Sequence, residues 1–69
     1  MSKSAYFINP NNGNQQAVVL NSDNSTDVWD RDGSNRLHSG GDRFDDYCQQ
    51  LLNSGYQRDD NPGWQAPVH

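Results

Sequence analysis

The sequence predicts an α+β fold, a small antiparallel β-sheet of three or four strands packed against one α-helix and followed by an irregular C-terminal tail. Three observations lead there. Asp42–Gly55, DRFDDYCQQLLNSG, carries a sustained helical period, with Phe44, Tyr47, Cys48, Leu51 and Leu52 at i, i+3, i+4, i+7 and i+8. Upstream of it, short apolar runs alternate with clusters of Asn, Asp, Ser and Gly, the pattern of strands joined by tight turns. All nine acidic residues are Asp. Asn is equally frequent, and both residues favour turns and caps over helix interiors.

The chain divides into a compact β-β-β-α unit over residues 1–56 and an irregular tail over 57–69. The first strand is Ser4–Asn9, with Tyr6 and Ile8 on one face and Ala5 and Phe7 on the other. Pro10 ends it. Asn12-Gly13 is a left-handed turn signal, so Asn9–Gln16 reads as a hairpin loop. The second strand, Gln16–Asn21, is apolar on both faces, with Ala17 and Val19 on one and Val18 and Leu20 on the other. That pattern belongs to a central strand, or to one with a face covered by a partner. Ser22–Ser25 turns the chain into a third strand, Thr26–Asp30, with Val28 and Trp29 on opposite faces. Gly33 suits a left-handed or bulge position in the next turn. Asn35–His38 is the optional fourth strand, anchored by Leu37 alone.

Both ends of the helix carry signals. Ser39, Gly40 or Gly41 supplies the N-cap, and Asp42, Asp45 and Asp46 place negative charge against the exposed N–H groups of the first turns. Gly55 fits the left-handed C′ position, with Tyr56 packing back on Leu51. In the tail, Trp64 is the large anchor. Its expected place is folded back over the core, because a chain of 69 residues with 30% apolar content has a thin core to complete.

Composition narrows the function classes. A net charge of −4 argues against nonspecific nucleic-acid binding. One cysteine excludes an internal disulfide, and Cys48, His38 and His69 lack the spacing of a zinc site. No metal or other cofactor is expected. No apolar run is long enough to span a membrane and no signal-peptide core is present, so the default location is cytoplasmic and no membrane association is expected.

Three fragments invite a chemical reading. Asp30-x-Asp32-Gly33-Ser34 resembles part of a calcium loop, but aligning Gly33 as its sixth residue puts Val28 first and Ser39 twelfth, where acidic ligands belong. A turn is the better account. Cys48 with His38 as base would make a nucleophile, yet Cys48 lies on the apolar helix face and no oxyanion motif accompanies it. Asp45 and Asp46 sit side by side as acid–base pairs do, but helix-dipole compensation accounts for them. The chain reads as no enzyme.

What remains is recognition. Asp42, Asp45 and Asp46 form the most compact acidic patch, suited to a larger protein with a basic surface. Trp29, Tyr56 and Trp64 are the side chains suited to anchor such an interface. The expected function is an inhibitor, adaptor or accessory factor. In size and charge the chain is similar to small acidic proteins that phages and mobile elements direct against host enzymes. A mimic of nucleic acid occupying a basic groove is an alternative, although Arg31, Arg36, Arg43 and Arg58 interrupt the acidic positions. A structural homodimer, pairing through Ala17–Leu20, is another.

Overall fold

The computed structural model describes residues 2–67. Four strands follow one another, β1 (Lys3–Ile8), β2 (Gln15–Leu20), β3 (Thr26–Asp30) and β4 (Asn35–Ser39), then the helix α1 (Phe44–Asn53) and a short strand β5 (Gln57–Arg58). They form a five-stranded sheet in the order β4-β3-β2-β1-β5, with every neighbouring pair antiparallel. The expectation of three or four strands and a wholly irregular tail is therefore corrected. The fifth strand is two residues long, too short to show any alternation. It forms because α1 returns the chain beside the free edge of β1, whose backbone groups need partners. Gln57 pairs with Ile8, Arg58 pairs with Phe7, and Asp59 N–H donates to the Tyr6 carbonyl at 2.8 Å.

The two turns flanking β3 share one geometry. Asn24 N–H donates to the Asn21 carbonyl, and Asn21 N–H to the Ser25 carbonyl. Gly33 to Asp30 and Asp30 to Ser34 repeat that pair one hairpin later. In each turn an Asp side chain accepts the N–H two residues on, Asp23 from Ser25 and Asp32 from Ser34. The position between is left-handed, Asn24 at φ 74° and Gly33 at φ 94°. A type I turn followed by a left-handed residue suits the twist of a hairpin, and Asn and Gly are the residues that tolerate it.

The sheet is covered on both faces. On one, Ala5, Phe7, Val18 and Val28 meet Phe44, with Leu20, Tyr47, Cys48, Leu51 and Tyr56 around them. On the other, Ala17 and Val19 meet Ala66, flanked by Tyr6, Trp29 and Trp64. β2 is thus the central strand that its two apolar faces call for, fully buried from Ala17 to Val19. It pairs with β1 and β3 along its length and has no free edge through which a second copy could add.

The helix is shorter than its pattern. It begins at Phe44 with Arg43 at the cap position and no side-chain cap. Ser39 instead closes β4. The start is fixed from the sheet by the buried hydroxyl of Thr26, which donates to the Gly41 carbonyl at 2.9 Å and accepts the Arg43 N–H at 2.9 Å. Asp42 Oδ1 takes the Phe44 N–H. The C-terminus has the Schellman arrangement. Tyr56 N–H reaches the Leu51 carbonyl, Gly55 N–H reaches that of Leu52, and Gly55 is at φ 93°. Leu52 leaves the buried stripe, being 43% exposed. At about 100° per residue it sits roughly 80° round from Phe44, at the margin of the packed face.

Candidate functional site

Asp42, Asp45 and Asp46 come together at the start of α1. All three are exposed, and with Arg43 they line a shallow concavity of about 240 Å³. They cluster because Phe44, Tyr47, Cys48 and Leu51 commit one side of the helix to the sheet, leaving Asp45 and Asp46 on its flank and outer side. Arg43 Nη1 pairs with Asp46 Oδ2 at 3.1 Å, an exposed i,i+3 contact of small energetic weight. Asp42 keeps one oxygen on the Phe44 N–H. The remaining carboxylate oxygens face outward beside the positive end of the helix dipole, where they can accept Lys or Arg donors from another surface.

The three aromatic candidates do not join this patch. Tyr56 packs into the core beneath α1, whereas Trp29 and Trp64 lie on the opposite face of the sheet. Trp64 meets the Tyr6 ring edge to face at 5.2 Å between centroids, and the Tyr6 hydroxyl accepts the Ala66 N–H at 2.9 Å. These contacts hold the tail against the sheet. Both indole Nε1 donors are buried and have no acceptor among the described residues. The six candidate residues therefore occupy three separate places.

Cys48 and His38 are not brought together either. Cys48 lies in the core beneath the helix, and burial pushes its thiol up, outweighing the downward pull of the Arg58 charge. His38 stands on β4 and turns to Asp27 instead. The Asp30–Ser34 segment is a turn, with Asp32 Oδ1 accepting the Ser34 N–H and Asp30 bound to Arg36 and Gln16. Among the described residues no group of three His, Cys, Asp or Glu side chains is placed to hold a metal ion. His69 lies outside the described residues.

Sequence reasoning missed the polar cluster around Asp27. This carboxylate is 5% exposed, yet it accepts the His38 Nδ1–H at 2.6 Å, an Asn21 Nδ2–H at 2.8 Å and, more weakly, an Asn35 Nδ2–H at 3.4 Å. Burial pushes the Asp27 carboxyl up. The hydrogen bonds from His38, Asn21 and Asn35, with the charge of His38, outweigh burial and hold it below the usual range. Asn21 also donates to Ser25 Oγ, whose hydroxyl donates to Asp23. A bulge hides this pairing from the sequence. Trp29 pairs with Asn35 and Val28 with Leu37, so Arg36 is an extra residue and the alternation slips by one. Counting back from the turn without it sets Asp27 against Leu37 rather than His38.

A second shallow concavity, about 250 Å³, lies where the β1–β2 and β3–β4 turns meet. Its charged lining is already engaged, Arg36 with Asp30 and Arg31 with Gln15. No helix among the described residues is long and apolar enough to cross a membrane. No protein-family model, no curated protein and no solved structure matches the chain.

Proposed function

We propose that this chain is a small non-enzymatic binding protein of the cytoplasm, an inhibitor, adaptor or accessory factor that docks on a larger protein with a basic surface. The observation that supports this is the outward cluster of Asp42, Asp45 and Asp46 on a helix whose other side is committed to the core. Such a cluster adds Coulombic attraction and orientation during encounter, and its effect falls as salt screens it. Trp29, Tyr56 and Trp64 are assigned to the two cores and not to the docking face. The phosphate-mimic alternative has weaker support, because only three of the nine acidic residues gather at the helix start and Arg43 stands among them.

The test is capture from the native host, or from its viral host, with the wild-type chain and with an Asp45→Asn/Asp46→Asn variant. Neither residue contributes to a core, so the variant keeps its thermal midpoint within a few degrees. The wild type should retain a specific protein, and the purified pair should bind at least tenfold more weakly with the variant. Equal retention by both chains, or none by the wild type, would count against the proposal.

A further inference from the structure

Among the strands, β4 is attached in an unusual way. It is an edge strand paired only with β3, four of its five residues are exposed, and its one large apolar side chain, Leu37, is 45% exposed. Packing therefore contributes little to holding it. Its polar side chains instead converge on β3. His38 donates to Asp27 Oδ1 at 2.6 Å, and Arg36 Nε meets Asp30 Oδ2 at 2.6 Å. Asn35 reaches the Asp27 carboxylate and the Val28 carbonyl. Two carboxylates, on opposite faces of β3, receive three of these four contacts.

Both ends of the segment are anchored independently. The Asp30–Ser34 turn closes on its own backbone bonds, and the Thr26 hydroxyl ties down Gly41 and Arg43 beyond the strand. We infer that β4 is a separable strand, latched to β3 by the carboxylates of Asp27 and Asp30, and that protonating Asp27 in acid releases it while the rest of the sheet stays paired. The groups facing Asp27 are His38 and Asn35 from β4 and Asn21 from the β2–β3 turn, and Asn21 in turn holds Ser25, which donates to Asp23. Those facing Asp30 are Arg36 from β4 and Gln16 from β2. No acidic group from β4 would take over when the Asp27 carboxylate is neutralised, because β4 carries none. Release uncovers the outer edge of β3, whose backbone donors and acceptors then meet solvent.

Amide hydrogen exchange, read residue by residue as protection factors between pH 6 and pH 2, tests this directly. Protection in the β3–β4 ladder should fall roughly tenfold further than in the β1–β2 ladder, within what one carboxylate held below the usual range contributes when it is protonated. An Asp27→Asn variant at pH 6 should show the same selective loss without acid. A parallel fall in both ladders, or no fall in either, overturns the inference. An Asp27→Asn chain that does not fold at pH 6 overturns it as well, since the latch would then belong to the core.

Discussion

Replacing Trp64 by alanine tests whether the tail is part of the fold. A fully enclosed tryptophan buries roughly 150–250 Å². Trp64 is half-buried, against Tyr6 and beside Ala17, Val19 and Trp29. At about 25 cal/mol per Å², losing the covered part of the ring costs about 2–3 kcal/mol. The edge-to-face pair with Tyr6 adds about 1 kcal/mol. Removing an Nε1 donor that has no acceptor among the described residues returns about 1 kcal/mol. The net loss is about 2–3 kcal/mol, which in a domain of this size lowers the thermal midpoint by roughly 10–20 °C. Trp64→Phe keeps a ring against Tyr6 and deletes the unpaired donor, so it should stay within about 1 kcal/mol of wild type. Urea unfolding followed by far-ultraviolet circular dichroism measures both variants. A Trp64→Ala loss below about 0.5 kcal/mol would refute the reasoning, because the second face of the sheet would then not depend on the tail.

Three further outcomes are expected. Thr26→Val keeps the shape of a fully buried side chain but orphans the Gly41 carbonyl and the Arg43 N–H, so denaturant unfolding should show a loss of about 2–3 kcal/mol. Hydrogen bonds hold Asp23, Asp27 and Asp32 below the ordinary carboxyl value of 3.8, so the folded chain binds fewer protons than the unfolded chain around and below that value. Their contribution is fully present above pH 3.8 and is lost as pH falls through the lower folded values, so an acid titration monitored by unfolding midpoint should fall below about pH 4 and not between pH 5 and 7. Cys48, with its thiol pushed up by burial, should react with a disulfide reagent at neutral pH at least tenfold more slowly in the folded chain than in urea.

Much of the fold was legible because several levels of the sequence agree. Apolar residues on both faces of Gln16–Leu20 mark a central strand, and Gly55 followed by Tyr56 marks the helix end. What could not be read depends on contacts distant in sequence. β5 exists because the edge of β1 is open, and two residues carry no periodicity of their own. The helix start is set by Thr26, 17 residues before the Arg43 N–H that it binds, so a capping rule searching nearby residues selects Ser39 instead. The bulge at Arg36 shifts the register and conceals the Asp27–His38 pair. The acidic cluster of the candidate site is local to one helix and was legible. The separation of Trp29 and Trp64 from Tyr56 depends on which side of the sheet the tail crosses, and composition does not specify that.

Carboxyl labelling with a carbodiimide and an amine tests the docking face most directly, comparing the free chain with its complex with the captured protein. The proposal predicts that Asp42, Asp45 and Asp46 are labelled in the free chain and protected in the complex, while the exposed Asp23 and Asp32 on the turns label equally in both. Equal labelling of the three helix carboxylates with and without the partner, or protection confined to the turns, would contradict it.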